Sequence, residues 1–254
     1  MTFRHAIVRP PCRRLAEGLS TAAMGPPDYQ AALEQHGRYV AALEACGLTI
    51  TVMPPLEDYP DSTFVEDVAL CTLLCAVVTR PGAPSRRGET GHIGGALERF
   101  YSDVHAIEAP GAIDGGDIMM AGERFFIGLT GRTDQEGARQ MTAYLEAHGY
   151  RAETVAVADG LHLKSGASYL ENNTLLAVDG LAGKPGFKGF DVIEVDAAEA
   201  YAANSLWVNA TVLTPAGFPA TAERIRAAGY EAIEVDISEF RKLDGGLSCL
   251  SLRF

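Results

Sequence analysis

Gly149-Tyr150-Arg151-Ala152 returns later in the chain as Gly229-Tyr230-Glu231-Ala232, each time between a helical run and a strand. Ahead of the first copy, Ala138, Met141 and Leu145 fall at helical spacing, with the capping pattern Thr133-x-x-Glu136 before them. Gly149 is positioned to end that helix. Residues 117–129 read as paired strands and 153–157 as one more. The second copy keeps the same order: strands within 205–213, a helix over 221–228, Gly229, then a strand over 232–235. The unit is a strand pair, a helix, a glycine and a further strand.

Three more units follow this outline. One has strands in 68–79, a helix bearing Ile93, Leu97 and Phe100, and a strand over 104–107. Another has 4–8, a helix over 28–46 with Leu33, Val40 and Leu43, and a strand over 48–53. The last joins 169–178 to 192–195 by a short Gly/Pro-rich connection where a helix is expected. Five units in 254 residues, roughly 40–50 residues each, fall within the periods of repeat and propeller architectures. The expected fold is therefore α/β, a five-fold pseudosymmetric propeller of ββαβ units. A doubly wound sheet also alternates strands with helices, but paired strands before the helices argue against it. No Pro/Gly/Ser linker divides the chain, so residues 1–254 are expected to form one domain. If the units close into a ring, the last strand of each is expected nearest the axis, with the following loop opening at one mouth.

Those loops carry the chemistry. After 48–53 come Asp61, Glu66 and Asp67, and after 104–107 comes Asp114 within Asp114-Gly115-Gly116-Asp117. After 153–157 comes His162, and after 232–235 comes Asp244-Gly245-Gly246-Leu247-Ser248-Cys249. Singly, these are a core histidine, a buried cysteine and two turns. Four units placing such groups at one phase favour a shared site, with a nucleophile, a general acid/base and an orienting carboxylate. Zinc is the rival occupant, but one histidine and one cysteine at this phase leave it needing two carboxylates, an uncommon ligand set. No glycine-rich phosphate motif follows a strand.

The formal net charge of −12 disfavours nucleic acid and anionic membranes as partners, and a carboxylate-lined pocket suits a cation. Five cysteines at irregular spacings argue against a disulfide framework, and no apolar leader or transmembrane run is evident. A cytoplasmic protein is expected. Arg86 and Arg132 stand in loops after outer strands, where two convergent guanidiniums can clamp a carboxylate. Carboxylates at the centre and arginines at the rim fit a ligand with one cationic and one carboxylate end, the form of arginine itself.

The segments Phe64-Val65-Glu66-Asp67, Asp114-Gly115-Gly116-Asp117, Leu161-His162-Leu163-Lys164 and Asp244-Gly245-Gly246-Leu247-Ser248-Cys249 resemble those of the guanidine-modifying enzymes, whose fold is the pentein propeller. Within that superfamily the chain is most similar to the dimethylarginine dimethylaminohydrolases, and the likeness runs from the first strand to Phe254. The resemblance implies Cys249 as nucleophile, His162 as proton donor and Asp114 as its paired carboxylate. Glu66 and Asp67 would help bind the guanidinium, and Arg86 and Arg132 would hold the substrate carboxylate. Asp61 and the backbones of Leu19 and Leu243 would meet the amino-acid end. Some bacterial relatives carry Glu where Asp114 stands, so a shorter side chain must reach His162 here.

The implied activity is hydrolysis of Nω-methylated arginines to citrulline and dimethylamine or methylamine, through a covalent cysteine thiouronium. A small guanidine is the expected partner, no cofactor or metal is required, and the protein is expected to be a monomer or homodimer. A non-catalytic module on the same propeller would lack the catalytic set. Arginine deiminase and amidinotransferase activities share the covalent step. Deiminases typically carry a helical insert, and no segment here is long enough to hold one.

Overall fold

The computed structural model describes residues 2–158 and 160–254. Its strands are β1 (His5–Val8), β2 (Thr49–Val52), β3 (Ala69–Cys71), β4 (Ala76–Val78), β5 (Val104–Ala106), β6 (Ile118–Ala121), β7 (Arg124–Leu129) and β8 (Arg151–Ala156). They continue as β9 (Ala167–Tyr169), β10 (Thr174–Val178), β11 (Asp191–Val195), β12 (Leu206–Val208), β13 (Thr211–Pro215), β14 (Glu231–Val235) and β15 (Ser251–Arg253). The helices are α1 (Tyr29–Ala45), α2 (Gly94–Leu97), α3 (Gln135–Ala147), α4 (Asp179–Ala182), α5 (Pro219–Ala227) and α6 (Ser238–Arg241).

Five three-stranded sheets result: β15-β1-β2, β3-β4-β5, β6-β7-β8, β9-β10-β11 and β12-β13-β14. In each, the middle strand runs antiparallel to the first and parallel to the third. The parallel pair is joined by the helical crossover such a pairing needs. The five-fold ββαβ pattern is thus present. Its opening sheet borrows β15 from the C-terminus, where Ala6 faces Arg253 and Val8 faces Ser251. That exchange supplies the strand the first unit lacks in sequence and closes the ring.

The axis is lined differently from the expectation. The first strand of each sheet, not the last, stands innermost: β15 touches β3, β6 touches β9, and β9 touches β12. The third strands are the most exposed of each sheet. Helices α1, α3 and α5 pack over β2, β8 and β14 from outside, where their apolar stripes bury Leu43, Met141, Leu145 and Ile225. The loops still open at one mouth, because each leads from an outer third strand to the next inner first strand.

Two local expectations change. The cap of α3 is Asp134, whose Oδ1 accepts from Gly137 N at 2.7 Å. Thr133 is unavailable for that role because its hydroxyl is donated to Asp117 at 2.5 Å. The helix expected around Ile93 is mostly a 3₁₀ stretch, Pro84–His92, with only Gly94–Leu97 α-helical. The connection after β10 holds the short α4 and a 3₁₀ turn, Pro185–Phe187. Among the described residues, no helix is long and apolar enough to cross a membrane.

Candidate active site

Before four of the inner strands the chain makes a tight 3₁₀ turn: Val65–Val68, Gly115–Asp117, Leu163–Ser165 and Ser248–Leu250. Three residues per turn set successive side chains about 120° apart, so neighbours along these turns face different spaces. Asp67, His162 and Cys249 face a cavity at the mouth, together with Leu19, Asp61, Arg86, Arg132 and Leu243. Glu66, Lys164 and Ser248 face the channel along the axis. Asp67 and Cys249 each stand two residues ahead of an inner strand, so equivalent positions of different sheets supply them.

Both Asp-Gly-Gly turns are shaped by close approach. A β-carbon on Gly116 would lie 2.5 Å from His162 Nδ1, and one on Gly115 only 2.0 Å from the Glu66 carbonyl oxygen. On Gly246 it would lie 2.4 Å from the Asn204 side chain. Without side chains, these backbones come close enough for Gly116 N to donate to Asp67 Oδ1 at 2.9 Å.

His162 is buried, and its Nε2 lies 2.9 Å from Oδ2 of the fully buried Asp114. Asp114 does not itself line the cavity; it stands behind the imidazole, and its Oδ1 accepts from Gly82 N at 2.8 Å. Burial alone would depress the imidazole pKa. The carboxylates of Asp67, Asp114 and Asp117 outweigh that and push it up to about 9. Burial acts first on Cys249 as well, and the charges of Glu66 and Asp67 add to it, pushing the thiol up to about 12. Its Sγ accepts from Gly246 N at 3.4 Å, a weak opposing contact. Asp67 is held below the ordinary carboxylate range: burial opposes this, but His162, Arg86 and the Gly116 amide prevail.

Arg86 departs from the expectation of a rim residue set away from the acids. It is buried, with Nη1 2.5 Å from Asp67 Oδ2 and its Nε and Nη2 on Glu89 at 2.9 and 2.8 Å. Its Nη2 also donates to the Phe64 and Asp61 carbonyls. Arg132 stands differently. Its guanidinium makes no hydrogen bond among the described residues and lines the cavity. Asp61 Oδ1 accepts from Leu19 N at 3.0 Å, and burial raises the pKa of this carboxyl.

Glu66 is also placed differently. It is separated from the guanidinium side of the cavity by the turn geometry and is spent on an internal network. Its Oε1 accepts from Lys164 at 2.5 Å and Arg253 at 3.3 Å, and its Oε2 from Ser248 Oγ at 2.7 Å. Two further residues hold the site and were not singled out from sequence. Asn204, two residues ahead of β12, donates to Lys164 O and accepts from Ser248 N, tying the His162 loop to the Cys249 loop. Asp117 accepts from Leu163 N, Thr130 Oγ1 and Thr133 Oγ1. Position relative to the inner strand was the only sequence signal for Asn204. Over the mouth, Asp244 Oδ2 accepts from Thr21 N at 2.5 Å, pinning the exposed stretch after Gly18.

The rival metal reading has a partial basis: ligand atoms of Asp67, Asp114 and His162 lie within 4.8 Å of one another. Asp67 is already bonded to Arg86 and Gly116, and Asp114 to Gly82 and His162, so these oxygens are engaged as an ion-pair cluster. Cys249 is not part of that group.

No family model matches the chain. It is 54% identical over 253 residues to the N(G),N(G)-dimethylarginine dimethylaminohydrolase of Pseudomonas aeruginosa, spanning 99% of this chain and 100% of the relative. The enzyme of that name from Streptomyces coelicolor is 39% identical over 256 residues, covering 100% and 98%. Among solved structures, a cysteine-to-serine variant of the Pseudomonas aeruginosa enzyme complexed with citrulline superposes with a TM-score of 0.99 at 53% identity, over the whole of both chains. A histidine-to-glycine variant adduct with S-methyl-L-thiocitrulline gives 0.98 at 53%, again over the whole of both chains. The N-terminal domain of the cyanobacterial arginine dihydrolase ArgZ shares the fold, with a TM-score of 0.88 at 18% identity, covering 99% of this chain and 97% of that one.

Proposed function

The chain belongs to the dimethylarginine dimethylaminohydrolase family, and from that premise we propose how its residues perform the reaction. The protein hydrolyses Nω-methylated arginines to citrulline and dimethylamine or methylamine through a cysteine adduct. The observation that carries our assignment of roles is the gathering of Cys249, His162, Asp67 and Arg132 around one cavity.

A guanidinium is a poor electrophile because its charge is spread over three nitrogens. Asp67 holds it and draws charge toward the central carbon. In the empty site His162 is an imidazolium and Cys249 a thiol. The incoming cation offsets the charges that raise the thiol pKa, so the thiol loses its proton to solvent and the thiolate attacks the guanidinium carbon. His162 then gives its proton to the departing amine as the C–N bond breaks, leaving a thiouronium on Cys249. The neutral imidazole next takes a proton from water and the hydroxide adds to the same carbon; the C–S bond then breaks as the hydroxyl proton passes to the leaving sulfur, releasing citrulline and restoring the Cys249 thiol. Asp114 keeps the ring aligned and favours its charged form.

Arg132 takes the substrate carboxylate. Arg86 contributes mainly by fixing Asp67, with one Nη1 hydrogen left for the cavity. Asp61 and the backbones of Leu19 and Leu243 meet the amino group, while Glu66 acts from behind, on the thiol. Residues 1–254 are taken as one catalytic domain, cytoplasmic, a monomer or homodimer, working without a cofactor.

Methylation removes N–H donors, so a site that bonded every guanidinium hydrogen would reject these substrates. Comparing kcat/KM for asymmetric dimethylarginine, monomethylarginine and arginine on one preparation tests the assignment. Fastest turnover of arginine, with ammonia released, would make the protein a deiminase.

A further inference from the structure

On the outer face of the ring, away from the cavity, Asp103, His105 and His148 bring one carboxylate and two imidazoles together. One ligand atom of each lies within 4.8 Å of the others. His105 is on β5 and Asp103 directly precedes that strand, whereas His148 caps the C-terminus of α3, which belongs to the next sheet's unit. His148 Nε2 lies 2.8 Å from Asp103 Oδ2, and His105 Nε2 lies 3.2 Å from Asp103 Oδ1. Two ligands each about 2.1 Å from a tetrahedral ion stand about 3.4 Å apart, so these separations need little change to admit one.

Three further observations point to a ligand. The His105 Nε2 atom has no solvent contact, and its 3.2 Å approach to Asp103 Oδ1 is not aligned as a hydrogen bond. The two rings are also held from outside the cluster. His148 Nδ1 meets the Tyr144 carbonyl at 2.8 Å, and the His105 ring stacks on the Tyr144 ring at 4.4 Å between centroids. A carbonyl on the far nitrogen is how metal-bound imidazoles are usually oriented. Finally, the Asp103 side chain is half exposed, which gives an ion an entry path and leaves room for a water as fourth ligand.

We propose that Asp103, His105 and His148 form a binding site for a borderline divalent metal ion such as Zn2+, clasping α3 to β5 across neighbouring units of the ring. The N2O ligand set suits zinc, cobalt or nickel better than magnesium or calcium. Without metal, His148 shares a proton with Asp103. The ion replaces that proton, so binding releases it.

Co2+ titration of the intact protein tests this, since the ion reports its ligands optically. The expected result is one equivalent bound with a visible band and no thiolate charge-transfer band, together with a rise in Tm with Zn2+. His105→Ala and His148→Ala should each lose more than about tenfold in affinity and lose the Tm rise, while turnover of methylated arginine without metal is retained. Asp103→Asn, conservative and on the surface, guards against a folding defect and should weaken binding as well. Absence of binding, unchanged binding in the histidine variants, or a thiolate band marking Cys249 as the ligand would each overturn the proposal.

Discussion

Nε2 of His162 stands 2.9 Å from Oδ2 of Asp114, and the other oxygen of that carboxylate is fixed by the amide of Gly82 at 2.8 Å. Gly82 in turn packs so tightly on Arg132 that a β-carbon would lie 2.4 Å from the Arg132 carbonyl oxygen. The general acid's partner and the arginine assigned to the substrate carboxylate are therefore parts of one rigid assembly. The shorter side chain of Asp114 is sufficient because the turn that follows it, Gly115–Asp117, lies against the imidazole, where a β-carbon on Gly116 would sit 2.5 Å from His162 Nδ1.

Cys249→Ser is expected to fold normally and turn over no substrate. A hydroxyl without a strong base is a far weaker nucleophile than a thiolate. Mass spectrometry of an acid-quenched wild-type reaction should find the adduct on the peptide containing Cys249, and substantial activity in the serine variant would rule out covalent catalysis.

His162→Gly is expected to block departure of the amine more than the attack. Adduct should build up slowly, with substrate binding little changed. Weakened affinity with normal turnover at saturation would instead place His162 in recognition, since that pattern reports uniform binding.

The two arginines should separate. Arg132→Ala is expected to raise KM for amino-acid substrates by about 10- to 100-fold, the worth of one charge-assisted hydrogen bond at about 1.5–3 kcal/mol. Agmatine, which lacks the carboxylate, should be nearly indifferent. Arg86→Ala leaves the buried carboxylates of Asp67 and Glu89 without their guanidinium, so it should lose about 3–5 kcal/mol in denaturant unfolding. Its loss should be similar for both substrates. Equal stability of the two variants would contradict this division.

Cys249 should react slowly with iodoacetamide at neutral pH in the empty enzyme, because burial and the charges of Glu66 and Asp67 push its thiol up to about 12. Removing one of those charges in Glu66→Gln is expected to shift the alkylation profile to lower pH. An unchanged profile would remove Glu66 from control of the thiol. His162 couples pH to stability. Its folded pKa, about 9, lies above the ordinary 6.5, so its contribution is full below about 6.5 and is lost as pH rises through about 9. Tm should fall across that window, and the fall should be shallower in His162→Gly.

Much of this site was legible in the sequence because its residues follow the unit's own punctuation. Asp114, His162 and Cys249 each lie in a loop after a unit's third strand, and Gly149 and Gly229 mark where those strands begin. Which strand lines the axis was not legible. The inner strands are only three or four residues long, such as Ala69–Cys71 and Ile118–Ala121, too short for a clear alternation. The separation of Glu66 from Asp67 was hidden for another reason. It depends on a 3₁₀ turn, and the acids on either side of that turn look alike in sequence. Asn204 and Asp117 act by bonding backbone atoms of distant loops, and such bonds leave no local pattern. The burial of Arg86 likewise depends on Glu89, three residues on, whose role as counter-ion appears only once the 3₁₀ stretch is formed.

The pairing of β15 with β1 also has a consequence for biosynthesis. Translation delivers β1 long before residues 251–253, and its sheet gains a third strand only with them. Cys249 sits two residues ahead of that strand, so the nucleophile and the closing strand clear the ribosome exit together. A nascent chain stalled before this point holds an open ring, with one edge of β1 unpaired and no thiol at the mouth. Chemical competence and mechanical closure therefore arrive together, and a chain that stops short of β15 keeps an exposed, association-prone edge.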